Sequence, residues 1–182
     1  MKDSGMSDGW YSGLMMAANV AAIAINIVGV KQCFKEGTLV ACLSEEGVET
    51  YKPIEDVKVG DMVLAYDEET REQAWKPVVQ LFRGETKEWY HVFVDGEEII
   101  CTADHPFYVF GKGFVSAKAL TTKDKLVLAN GQQVKIDKIK VEKLTTPETR
   151  YNFEVADFHT YYVSEKAVLV HNFCEKNMPI TG

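Results

Sequence analysis

The chain has 182 residues, 46% of them hydrophobic and 26% charged, with a net charge of -7. This supplies one sizeable core and not two. The acidic balance gives no nucleic-acid footprint, which needs clustered Lys and Arg; the lysines of 112–143 are interleaved with acids and read as a solvated surface.

In chain order, the first feature is the apolar run 14–30, LMMAANVAAIAINIVGV. It is about as long as the shortest membrane-spanning helix. Asn19 and Asn26 interrupt it, Gly29 weakens its end, and Lys2 is followed by Asp3 and Asp8 where a secretory signal needs net positive charge. The expectation is a short apolar helix in a flanking segment, 1–32, with no membrane required.

Beyond residue 32 the texture changes to short Val-, Ile-, Tyr- and Phe-rich runs separated by turns. Such runs suit a pleated, half-buried surface. Strands are expected at Thr38–Leu43, Met62–Tyr66, Trp75–Phe82, Trp89–Val94, Glu98–Thr102 and Pro106–Phe110. Further strands are expected at Leu126–Ala129, Val134–Val141, Tyr151–Val155, Tyr161–Val163 and Ala167–Val170. Turn signals include Glu46-Gly47, Asp95-Gly96 and Asn130-Gly131, the last read as a type I′ hairpin. Ser116–Leu120 is expected to make one helical turn. The class is therefore all-β.

Cys33, Cys42, Cys101 and Cys174 are far apart and form no CxxC pair or zinc spacing. Free thiols are expected, and no metal site. Cys33 stands where the first strand begins, and an unperturbed thiol of pKa ~8.5 is a few per cent ionised at neutral pH. Thr102 and His105 lie three residues apart at a strand end, where a hydroxyl and an imidazole can converge on one peptide bond. Val168–Val170 ends in His171-Asn172, and an Asn side-chain amide can attack its own main-chain carbonyl if other groups polarise that carbonyl.

Four segments in this order, CFKEGT, TADH, YNFEVADFHTYYV and VLVHN, resemble the splicing blocks of the Hint (hedgehog–intein) superfamily. The stretch Ile54–Val63 resembles the family's Gly-Asp segment after the first block. The resemblance covers 33–172 and is closest to minimal inteins and to bacterial intein-like domains of the A type. It implies a horseshoe of short strands with pseudo-twofold symmetry, both termini meeting at a central cleft.

The resemblance also implies roles. Cys33 would attack the Gln32 carbonyl to give a thioester, assisted by Thr102 and His105, with Asp104 as a possible accessory. Asn172 would cyclise and release the chain before Phe173, assisted by His159 and His171. Phe173 stands where splicing inteins carry Cys, Ser or Thr, and Cys174 lies one residue too late. Asn152 stands where many inteins carry an acid. Both departures point to cleavage at the two junctions more than to efficient splicing.

The reaction implied is single-turnover, without cofactor, in a monomer acting on its own flanks, 1–32 and 173–182. The A-type resemblance implies a bacterial precursor of a secreted or surface protein. Zinc is expected only as an inhibitor at Cys33, His105 and His171. The competing readings are an inactive relic serving as a structural or binding module, and a hedgehog-type domain, which the intact VLVHN and following chain disfavour.

Overall fold

The computed structural model describes residues 31–172. The expected apolar helix of 14–30 and the tail from Phe173, with Cys174, lie outside the described residues. No described helix is long and apolar enough to cross a membrane.

Two long strands organise the fold. Strand β4 (Met62–Tyr66) turns into β5 (Gln73–Val94), and β9 (Lys125–Val127) turns into β10 (Gln133–Val155). The long strands then pair antiparallel, from Ile136↔Val94 to Val155↔Val78. Each half is thus a short strand leading into a long one, which gives the arrangement its pseudo-twofold character. Around this ribbon lie β1 (Phe34–Lys35), β2 (Leu39–Leu43), β3 (Glu49–Pro53), β6 (Glu97–Cys101), β7 (Pro106–Val109), β8 (Gly113–Ser116), β11 (Thr160–Val163) and β12 (Val168–His171). Every named pairing is antiparallel. The all-β expectation holds.

The corrections are local. The expected strands Trp75–Phe82 and Trp89–Val94 are parts of one strand, as are Val134–Val141 and Tyr151–Val155. The polar stretch Arg83-Gly84-Glu85 stays in the ladder because β10 pairs with it directly, at Arg150↔Gly84. On β10 the register slips between Lys143 and Glu148, where 144–147 bulge opposite Lys87. Pro147 has no N–H to give the ladder and is tolerated there. Strands β1, β3 and β8, respectively two residues long, polar and Gly-containing, were not expected. The helical turn expected in Ser116–Leu120 is present at Ala117–Ala119.

At Asn130-Gly131 only Gly131 has positive φ, +81°. The Gly131 N–H bonds to the Leu128 carbonyl and the Leu128 N–H to the Gln132 carbonyl. This is a three-residue loop closed by a left-handed glycine, not the type I′ turn expected. The Asn130 side chain decides it by accepting from the Gln132 N–H at 2.9 Å. Asp95 and Gly96, at +47° and +80°, are both left-handed, as a type I′ turn requires.

The core lies between the faces of the sheet and contains Phe34, Trp89, Phe107, Phe153 and Tyr161, all fully buried. His105 is buried among them. Cys33, Cys42 and Cys101 are free and buried.

Candidate active site

The chain enters through residues 31–33, and Thr102, just past the end of β6, fixes this segment by its main chain. The Cys33 N–H donates to Thr102 Oγ1 at 2.9 Å, and the Thr102 N–H donates to the Cys33 carbonyl at 2.9 Å. The Thr102 hydroxyl has one proton; its Oγ1 lies 2.7 Å from the Lys31 carbonyl and 3.3 Å from that of Cys33, so it serves Lys31. Arg150 Nη1 reaches the Lys31 carbonyl at 3.3 Å. The Gln32 carbonyl accepts from Asn152 Nδ2 at 2.6 Å. Both sides of the Gln32–Cys33 peptide are therefore held by side chains.

The other end arrives on β12. The Asn172 N–H donates to the His159 carbonyl at 2.8 Å, and Asn172 Nδ2 donates to the Phe153 carbonyl at 2.6 Å. Asn152 and Phe153 are consecutive on β10. Adjacent residues of one central strand thus hold the Gln32 carbonyl and the Asn172 side chain.

Electrostatics follow from burial. Desolvation pushes the Cys33 thiol up to about 12, against a smaller opposing pull from the Arg150 guanidinium. The thiol is not ionised in advance at neutral pH. His105 is held well below the ordinary histidine value by burial and by the nearby His171. His171 is brought down to about 4 by burial and by His159, while a hydrogen bond with the Asn172 main chain favours its charged form. Only an acceptor favours a charged ring, and the Asn172 N–H is already committed to His159. The His171 ring therefore bonds to the Asn172 carbonyl. Both imidazoles are neutral at pH 7.

The His105 ring lies against Phe34, with centroids 3.9 Å apart, and neither nitrogen has a hydrogen-bond partner among the described residues. The Cys33 amide proton goes to Thr102 and not to His105. The His159 ring points toward Glu154, 3.7 Å away, and reaches Asn172 through its carbonyl, from a left-handed backbone at φ +54°. Asp104 turns away from the site to pair with Lys118 at 2.6 Å.

A family model described as the pretoxin Hint domain matches residues 46–173. The chain belongs to that family. This Hint domain resembles the solution structure of a bacterial intein-like domain from Clostridium thermocellum, at 42% identity and a TM-score of 0.70. That alignment covers 77% of this chain and 98% of the other. A DnaB intein from Synechocystis sp. PCC 6803 shares the fold at 19% identity and TM-score 0.66, covering 79% and 99%. The gp41-1 intein matches at 25% identity and TM-score 0.62, covering 78% and 98%. Among curated proteins, none matches the chain. The family model begins after Cys33 and does not include that residue.

As a member of the intein class this Hint domain is a self-processing domain. Two groups in its site escaped the sequence reading. Tyr161, fully buried on β11, donates to Asn152 Oδ1 at 2.7 Å. Arg150, on β10, reaches the Lys31 carbonyl, and its charge favours the Cys33 thiolate. Tyr161 reads as one more apolar strand residue, and Arg150 as one more surface charge. No described group of three or more His, Cys, Asp or Glu is placed to hold a metal ion. The fourth histidine, His91, lies elsewhere on the ribbon, between Glu98 and Glu142.

Proposed function

We propose that this Hint domain cuts its own backbone at two junctions, forming a thioester at Gln32–Cys33 and releasing the chain after Asn172. The observation that carries the reading is the convergence of both junctions on Asn152 and Phe153. In the first step Cys33 Sγ attacks the Gln32 carbonyl carbon, and Thr102 keeps the peptide still. His105, neutral and dry, takes up and returns the proton needed by the departing nitrogen once its ring leaves Phe34. In the second, Asn172 Nδ2 attacks its own carbonyl; the Phe153 carbonyl draws on its N–H while His171 polarises the target. His159 acts on this step through its carbonyl. Holding nucleophile and carbonyl in one chain contributes ~7–11 kcal/mol in well-oriented cases.

Position 173 is Phe, which has no nucleophile, so the two cleavages proceed uncoupled and splicing is at most a minor outcome. The units are the flank 1–32, the reacting domain 33–172 and the flank 173–182, with no cofactor or separate substrate. The pretoxin description of the family supports a place inside a precursor of a secreted or surface protein, from which the domain frees its neighbours.

Intact-mass spectrometry over hours, with and without dithiothreitol, tests this. Fragments ending at Gln32, accelerated by thiol and lost in Cys33→Ala, and fragments ending at Asn172, lost in Asn172→Ala, are expected. A mass that never changes overturns the reading in favour of an inert module.

A further inference from the structure

The Asn152 side chain has one orientation. Its partner on one side is the Phe153 N–H, 2.8 Å away, which can only donate; the amide atom facing it is therefore Oδ1. The Tyr161 hydroxyl donates to the same oxygen at 2.7 Å. Nδ2 is left facing the Gln32 carbonyl at 2.6 Å. Asn152 is 3% exposed and Tyr161 fully buried, so water does not compete for these contacts. A carboxylate in this place offers only acceptors, and its lone pairs would face that carbonyl oxygen. The amide is the one side chain of this shape that accepts from Tyr161 and Phe153 while donating to Gln32.

The geometry points to Asn152 as the oxyanion donor of the acyl shift at Gln32, with Tyr161 as the positioning residue that sets the direction of donation. The inference rests on the reading that Gln32–Cys33 is the reacting peptide. When Cys33 Sγ bonds to the Gln32 carbonyl carbon, the C=O π pair moves onto the oxygen that Nδ2 already touches. The tetrahedral species collapses by breaking the C–N bond, and the thiol proton ends on the Cys33 nitrogen. The thioester is an isomer of the amide, so the step needs no co-reactant. A fixed donor at the oxygen that gains charge acts mainly on the transition state, and loss of one such donor slows comparable acyl transfers ~10²–10³-fold.

Two measurements on the full chain test this. The first is the rate of thiol-induced release at Gln32. Asn152→Asp keeps the shape and both acceptor contacts but has no donor once its carboxyl is ionised, so across pH 7 to 9 it should fall increasingly behind the parent, to roughly 10²-fold. Tyr161→Phe keeps the ring against Phe153 and should lose several-fold. The second uses Cys33→Ala, which cannot react, labelled with ¹³C at the Gln32 carbonyl. Adding Asn152→Ala should move that resonance upfield as the hydrogen bond is lost, with the rest of the spectrum marking a retained fold. An Asn152→Asp chain at the parent rate throughout pH 7 to 9, or a carbonyl resonance that does not move, overturns the inference. If the parent chain forms no thioester at all, the proposed function fails, and the carbonyl resonance still decides whether Asn152 donates.

Discussion

Gly84 lies directly beneath the Arg150 guanidinium. A Cβ built on Gly84 would stand 2.9 Å from Arg150 Nε and 3.2 Å from Nη2. The two residues are register partners in the β5–β10 ladder, so the glycine leaves room for the arginine to cross its neighbour strand toward Lys31 and the Cys33 thiol. Gly84 has no left-handed backbone to lose, and alanine is conformationally acceptable there. Gly84→Ala should therefore fold and should displace the guanidinium. Thioester formation at Cys33 is expected to fall by about tenfold, as small misplacements in a reacting site do. Release after Asn172 should stay near the parent rate. Separate quantification of the two fragments by mass spectrometry checks this, and equal slowing of both would show general loosening.

The folded domain should lose stability in mild acid. His171 has a folded-state pKa lowered to about 4, and His105 is lowered well below its ordinary 6.5. A lowered histidine means that the unfolded chain binds the proton first. Above about pH 6.5 neither state is protonated and nothing is lost; as pH falls from there toward 4, the unfolded state is favoured progressively. At pH 5 the His171 contribution is about 2 kcal/mol, and His105 adds in the same direction. Urea unfolding of the Cys33→Ala, Asn172→Ala chain at pH 7.5 and pH 5 measures the loss. Adding His171→Gln should reduce it, and an unchanged pH dependence would contradict the burial argument.

The rate of the first step should follow hydroxide. With the Cys33 thiol pushed up to about 12, its thiolate fraction at pH 7 is on the order of 10⁻⁵ and grows tenfold per unit throughout the accessible range. Thiol-induced release at Gln32 is expected to rise with pH from 7 to 9 without levelling, once the thiolate concentration of the added thiol is held constant by adjusting its total concentration. A plateau near pH 8 would mean that a base or a cation activates Cys33 more strongly than the resting geometry shows.

The residues of the proposed chemistry could be picked out because they sit in short ordered segments: Cys33 before a strand, Thr102 and His105 three residues apart, Asn172 at a strand end. The strands were legible where alternation was clean, as at Met62–Tyr66. What hid was whatever depends on pairing across the chain. Nothing local to Arg83-Gly84-Glu85 says that the strand continues, because β10 supplies the partner. Asn152 read as a missing acid because a residue's direction of donation is set by Phe153 and Tyr161. Asp104 read as a site residue because it stands beside His105, yet the turn sends it outward to Lys118. Sequence adjacency placed the reactive groups in order and did not say which way each one faces.

Thr102 carries a prediction that separates structure from chemistry. Its Oγ1 accepts the Cys33 N–H and lies 2.7 Å from the Lys31 carbonyl, in a site 5% exposed. Thr102→Val keeps the shape and removes the hydroxyl, leaving a buried N–H and a carbonyl without that partner. The unsatisfied donor alone should cost about 1–3 kcal/mol, read as a lower urea midpoint in a Cys33→Ala background. The thioester step should slow by more than the stability change explains, because the scissile peptide loses the group that holds its nitrogen. Thr102→Ser restores the hydroxyl with less packing and should recover most of the rate while recovering less of the stability. A valine chain that reacts at the parent rate while the serine chain is slow would show that the methyl group, through packing, matters and that the hydroxyl does not.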